Sequence, residues 1–197
     1  MSEMIVPPVH SRRSGPFSRA CGRLLLSLLG WRVTGVLSDH PRLVMIVAPH
    51  TSNWDFPLGL AVRWACDLKL NWLGKHTLFI GPWGPLLRRL GGIPLNRRAP
   101  QGALPETIRR LNARESFVLA LAPEGTRRRV TRWKSGFHLI ARQTGARIVP
   151  VALDYGPREV RFGPAMETSA DFDADLARLA GFYAGVTARR PENFERI

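Results

Sequence analysis

The chain has no long apolar run. No uninterrupted stretch approaches the roughly 18 residues that span a bilayer as a helix, which argues against an integral membrane protein. Its amino end shows no signal-peptide order of basic, apolar and cleavage segments. Cysteine is scarce: Cys21 and Cys66 are the only two, and they lack metal-ligand spacing. A disulfide scaffold or zinc module is thereby set aside, and a reduced, cytosolic protein is expected. A Gly-x-Ser-x-Gly nucleophile elbow is also missing, so a serine hydrolase of that type is not expected. Acidic residues are few, 15 against 29 Lys and Arg, for a net charge of +14. The isoelectric point near 11.5 calls for an anionic partner. Nucleic acid is the usual candidate, yet no recognition-helix, zinc-finger or aromatic RNA-binding pattern occurs. Arg109, Arg110, Arg114, Arg127, Arg128, Arg129 and Arg132 alternate with core positions instead of forming a stripe. An anionic membrane surface is therefore the expected partner, and nucleic acid is not.

What is present suits one globular domain. The chain has 197 residues, 45% of them hydrophobic, with six Trp and nine Phe, enough for a full core but cramped for two domains. Residues 1–15 carry Pro, Ser and Arg without periodicity and read as a loose basic arm. Between Phe17 and Leu29, Phe17, Cys21, Leu24, Leu25 and Leu28 fall at helical spacing opposite Arg19, Arg23 and Ser27. The pattern predicts an amphipathic helix within 16–32 that either lies on a membrane or packs on its own domain. Residues 33–197 make the main domain. Apolar strands are expected at 42–48, 116–122 and 148–153, with shorter ones near 71–74, 92–97 and 160–162. Helices are expected over 56–67 and 104–113, in the segment from Trp133 to Thr144, and in a closing segment that turns Phe172, Leu176, Leu179, Tyr183 and Val186 inward. Strands alternating with helices predict an α/β fold with a mainly parallel sheet covered by helices on both faces.

Two motifs follow two of those strands, where α/β sheets place their chemistry. His50-Thr51-Ser52-Asn53-Trp54-Asp55 follows the first. On a regular helix His50 and Asp55 would point about 140° apart, so they meet only if the chain turns between them. Asn53, Asp55 and Pro57 are residues of such a turn. Asp55 can then accept a proton from one imidazole nitrogen and leave the other free as a base. A plain helix N-cap is the competing role for Asp55. No serine is needed if the substrate brings its own hydroxyl for attack on a thioester.

Glu124-Gly125-Thr126-Arg127 follows the second strand. Gly125 lets backbone amides approach an anion, Thr126 adds a hydroxyl, and Arg127 is a fork-shaped donor that matches phosphate. Glu124 would repel a phosphate, so it is expected to fix Arg127 or a neighbouring basic group, or to bind an acceptor hydroxyl. A solvated turn with Glu124 paired to Arg128, Arg129 or Arg132 is the competing picture. Arg97, after Gly91-Gly92-Ile93-Pro94, ends a short strand and is a further anion-site candidate. Pro150 interrupts the apolar run Ile148-Val149-Pro150-Val151 and marks an edge, a bulge or a ligand-facing wall.

In this order and spacing, His50/Asp55, Gly91–Arg97, Glu124–Arg127 and Val149-Pro150-Val151 resemble the glycerolipid acyltransferase family, which includes bacterial 1-acylglycerol-3-phosphate acyltransferases. Trp133-Lys134-Ser135-Gly136 resembles the aromatic-Lys-x-Gly stretch of that family, and the likeness covers roughly residues 42–155. The resemblance implies acyl transfer from a coenzyme A or acyl-carrier-protein thioester to a lysophospholipid hydroxyl, with no metal or bound cofactor. It implies His50 as base, Asp55 as its orienter, and Arg97, Gly125, Thr126 and Arg127 around the acceptor phosphate, with Glu124 and Pro150 supporting the site. Pro49 stands where the family often carries Asn, and Ser52-Asn53-Trp54 is bulkier than many members have. The expected setting is peripheral, at the cytoplasmic face of the inner membrane, with Trp72, Trp83, Leu86 and Leu87 as added membrane contacts. The alternative is a noncatalytic basic protein that binds a membrane surface or nucleic acid.

Overall fold

The computed structural model describes residues 6–11, 15–96 and 104–195. In chain order the elements are α1 (Pro16–Leu28), β1 (Arg32–Thr34), β2 (Arg42–Ala48), α2 (Asp55–Ala65), β3 (Asn71–Lys75), α3 (Gly84–Arg89), β4 (Gly92–Leu95), α4 (Leu104–Asn112), β5 (Phe117–Leu121), α5 (Gly136–Thr144), β6 (Arg147–Asp154), β7 (Glu159–Phe162) and α6 (Phe172–Tyr183). The strands form one sheet in the order β1-β7-β6-β2-β5-β3-β4. All neighbours are parallel except β6 and β7, joined by a tight turn. The fold is thus the α/β class expected, a mainly parallel sheet between helical layers.

Central strand β2 shows why its run is apolar throughout. Side chains alternate across a strand, so Val44, Ile46 and Ala48 join the core beneath α4, α5 and α6, while Leu43 and Met45 join the core beneath α1 and α2. The two connections that matter leave β2 and β5 on opposite faces: α2 covers one core and α5 the other. Adjacent parallel strands whose following helices diverge in this way open a crevice at their C-terminal ends. Residues 49–55 and 122–127 both emerge into it.

Several expectations change in detail. Residues 6–11 are held against the body instead of hanging loose. His10 is buried with its Nε2 3.0 Å from the His40 carbonyl, its carbonyl accepts from Lys69 N–H, and the Ser11 hydroxyl donates to Asp67. Strand β1 begins at Arg32, inside the segment assigned to the amphipathic helix, and α1 ends at Leu28. That helix belongs to the domain. It docks on α2 through Gly22 and Leu26, and a Cβ on Gly22 would stand 2.3 Å from the Ala65 nitrogen. Trp133 precedes α5 and Val186 follows α6, although both are buried in the core beneath those helices. Among the described residues no helix is long and apolar enough to cross a membrane.

Candidate active site

The turn after β2 brings His50 and Asp55 together. His50 Nδ1 lies 3.0 Å from Asp55 Oδ2, with the Asp55 side chain almost fully buried and the imidazole partly open. Asp55 opens α2, but it does not cap it: its Oδ2 accepts from Ser52 N–H at 2.9 Å, behind it in the chain. Its Oδ1 accepts from the Tyr155 hydroxyl at 2.7 Å. A carboxylate oxygen only accepts, so Nδ1 carries a proton, and Nε2 is the nitrogen that holds the lone pair in the neutral ring. The turn itself is tight, with Trp54 N–H donating to Ser52 Oγ and Asp55 N–H to the Ser52 carbonyl.

Glu124 takes a role other than those expected of it. Its two carboxylate oxygens accept from the His50 backbone N–H at 3.0 and 3.1 Å. It is buried and does not line the cleft, and it anchors the loop that carries His50 instead of pairing with an arginine. Arg129 pairs with Glu195 and Arg132 with Asp173. Burial pushes the Glu124 carboxyl up to about 7, helped by the nearby Asp55 charge and opposed by the His50 N–H. Gly125 takes φ +67°, the left-handed conformation that an unbranched backbone adopts freely, and this turns the chain back toward α5.

A cleft of about 2040 Å³ opens in front of this pair. Its apolar wall includes Phe56, Leu60, Trp72, Leu73, Leu87, Leu104, Leu121 and Phe137. Gly125, Thr126, Arg127 and Lys134 enter it from the β5–α5 turn. The exposed Arg127 guanidinium makes no ion pair among the described residues, so a full charge is free at the cleft mouth. Arg97 lies outside the described residues. Pro150 does not face the cleft. It is buried in the interior strand β6, opposite Ile46 of β2, with its ring against Gly163. The adjoining polar groups are taken up by Tyr183, whose hydroxyl donates to the Ile46 carbonyl at 2.7 Å and accepts from Val151 N–H at 3.2 Å. Among the described residues no group of three or more His, Cys, Asp or Glu is placed to hold a metal ion.

Sequence reasoning missed Tyr155 and Arg189. The guanidinium carbon of Arg189 lies 5.3 Å from the Trp54 ring centre and 5.8 Å from that of Tyr155. One signal for Tyr155 was available, since it stands just past the end of β6 as His50 and Glu124 stand past β2 and β5.

The site is thus a His–Asp pair at the switch point of a mainly parallel sheet, facing an apolar cleft with an arginine that makes no ion pair among the described residues. The acyltransferase family model matches residues 33–154, and the chain belongs to that family. In fold it is similar to the 1-acyl-sn-glycerophosphate (LPA) acyltransferase PlsC from Thermotoga maritima, with a TM-score of 0.57 and 19% identity, over 87% of this chain and 80% of that one. No curated protein matches by sequence.

Proposed function

We propose that this acyltransferase moves a fatty acyl group from a coenzyme A or acyl-carrier-protein thioester to the hydroxyl of a lysophospholipid such as 1-acylglycerol-3-phosphate. The observation that carries the reading is His50 Nδ1 held 3.0 Å from buried Asp55 at the mouth of an apolar cleft. The acceptor hydroxyl gives its proton to His50 Nε2 as its oxygen attacks the thioester carbonyl. A C–O bond forms, the carbonyl electrons return, and the C–S bond breaks. The proton then passes from the imidazolium to the departing thiolate. Positioned proton transfer of this kind contributes roughly 10²–10⁴-fold. Arg127 and the amides near Gly125 hold the acceptor phosphate, and the apolar wall takes acyl chains. The enzyme works peripherally at an anionic membrane on its cytoplasmic side, where the exposed apolar residues of α1 and Trp83 support contact.

Purified protein given acyl-CoA or acyl-carrier-protein donors with lysophosphatidate tests the reading. Wild type should form product and His50→Ala none, with an unchanged melting temperature. Arg127→Ala should raise KM for the phosphorylated acceptor about tenfold or more, since a charge-assisted hydrogen bond contributes roughly 1.5–3 kcal/mol. Equal turnover by wild type and a folded His50→Ala protein would remove His50 as the base.

A further inference from the structure

The carboxylate that orients His50 is itself held from outside the family-matched region. Tyr155 lies one residue beyond that region, in the β6–β7 turn, and donates its hydroxyl to Asp55 Oδ1 at 2.7 Å. Its ring is fixed edge-on against Trp31, with centroids 4.8 Å apart. Burial, together with the bond to Asp55, pushes the phenol's pKa upward, so the hydroxyl remains a donor across the working range. Arg189 lies over the Tyr155 and Trp54 rings, and its positive charge opposes that rise. A nearby cation makes a phenol a better donor, so the hydroxyl's grip on Asp55 strengthens.

The chain beyond α6 is tied to both sides of this arrangement. Tyr155 N–H donates to the Thr187 carbonyl at 2.8 Å, and Thr187 N–H donates to Asp154 Oδ1 at 3.1 Å. Three residues later, Arg190 N–H donates to the hydroxyl of Thr51, next to His50, at 3.2 Å. Ala188 is buried between these ties and Val186 just before the first. A short stretch near the C-terminus thus clamps the turn that carries Tyr155 to the loop that carries His50.

We propose that Tyr155 and Arg189 are positioning residues for acyl transfer, forming a line Arg189–Tyr155–Asp55–His50 that fixes the carboxylate through the oxygen the imidazole does not use. The proposal rests on His50 being the base. Without the phenol, Asp55 keeps Ser52 N–H and His50 as partners but loses a restraint on Oδ1. Its charge is then less shared, and it holds the imidazolium more tightly. A base works only when deprotonated, so the acid limb of the rate profile moves to higher pH.

The test uses the full chain with Tyr155→Phe, Arg189→Ala and Arg189→Lys beside His50→Ala. It reads kcat, KM, the pH profile of kcat/KM, and the NMR titration of the His50 imidazole. Tyr155→Phe keeps the ring and its packing on Trp31, so its melting temperature should hold. Its kcat should fall about tenfold, the equivalent of one hydrogen bond to a charged group, with KM little changed. Its acid limb and its imidazole titration should both move up by roughly half a pH unit. Arg189→Ala should show the same signature at about threefold, and Arg189→Lys should restore most of it by keeping the cation. Among the described residues Glu124 and Tyr155 adjoin the pair and Arg189 lies over the Tyr155 ring, while Arg63, Lys75, His76, Arg127, Arg132 and Lys134 line the cleft it faces. Because burial holds the Glu124 carboxyl up at about 7 and its ionisation would act on the nearby imidazole, the comparison is repeated in a Glu124→Gln background. An unmoved imidazole titration in Tyr155→Phe overturns the proposal, whatever happens to kcat. An active His50→Ala protein instead sinks the base assignment, and the imidazole titration then still judges Tyr155 separately.

Discussion

At the scale of single residues, Glu124 combines two properties that pull against each other. It is buried, which disfavours its charge, yet both its oxygens accept from the His50 backbone N–H, which favours it. Burial dominates, and the carboxyl sits at about 7 instead of its usual 4.5. The neutral form is therefore the one folding favours. Its stabilising contribution is fully present below pH 4.5 and is lost as pH rises through about 7. Across that window the loss amounts to roughly 3 kcal/mol, from about 1.4 kcal/mol per pH unit. Glu124→Gln keeps an oxygen acceptor for the His50 N–H and cannot ionise. Its melting temperature should gain on wild type between pH 4.5 and 7.5, by about 5 °C or more in a domain of this size. A difference that stays flat with pH would mean the carboxyl titrates normally. Glu124→Ala, which removes the acceptor, should lower kcat by about 100-fold, because a small misplacement of a catalytic group costs that much. The placement of His50, Asp55 and Arg127 at one cleft was legible in the sequence because each stands just past an apolar strand. The bond from Glu124 to the His50 N–H was not legible, because a backbone N–H 74 positions away leaves no mark in composition or spacing.

At the scale of elements, α1 illustrates how periodicity finds a helix without saying which face is bound. Phe17, Leu24 and Leu28 fall at helical spacing, as a core-facing stripe would, but they are 80%, 59% and 74% exposed. The docked face is Gly22 and Leu26, where the missing side chain of glycine lets α1 approach the α2 backbone. Only the partner helix reveals that preference. The two faces should separate by mutation. Gly22→Leu forces a side chain into the Ala61 carbonyl and the Ala65 nitrogen, at 2.8 and 2.3 Å, and should cost about 3 kcal/mol or more, since neither backbone can retreat. Leu28→Ser on the outer face should change stability by no more than about 0.5 kcal/mol. Chemical denaturation of both variants checks this, and comparable losses would mean the outer face is packed in solution. Strand β1 went unread because Arg32-Val33-Thr34 is too short to show alternation; its pairing with β7, 127 residues on, creates it. Likewise Pro150 read as an edge or a wall, but Tyr183, 33 positions later, supplies the polar partners that let proline sit in an interior strand.

At the scale of the whole molecule, two kinds of surface coexist, and they predict different responses to salt. On the proposed peripheral reading, the net charge of +14 would draw the protein to an anionic bilayer over several ångströms of water, an attraction that salt screens. Apolar side chains left exposed on α1, with Ile80 and Trp83 before α3, act only at contact and are insensitive to screening. Helix α1 packs on α2, whose first turn carries Asp55 in the cleft, so a pose bound through the outer face of α1 would bring the candidate site near lipid. The expected behaviour on anionic vesicles is a steep loss of binding between about 50 and about 500 mM salt that levels off above zero. Burying one large side chain at an interface contributes roughly 1.5–3 kcal/mol. Phe17→Ser with Leu28→Ser should therefore lower the plateau at high salt by more than tenfold. At low salt, where charge brings the protein down first, the same variant should bind nearly as well as wild type. Binding by wild type that falls to nothing at high salt would assign the association to charge alone, and the outer face of α1 would need another partner.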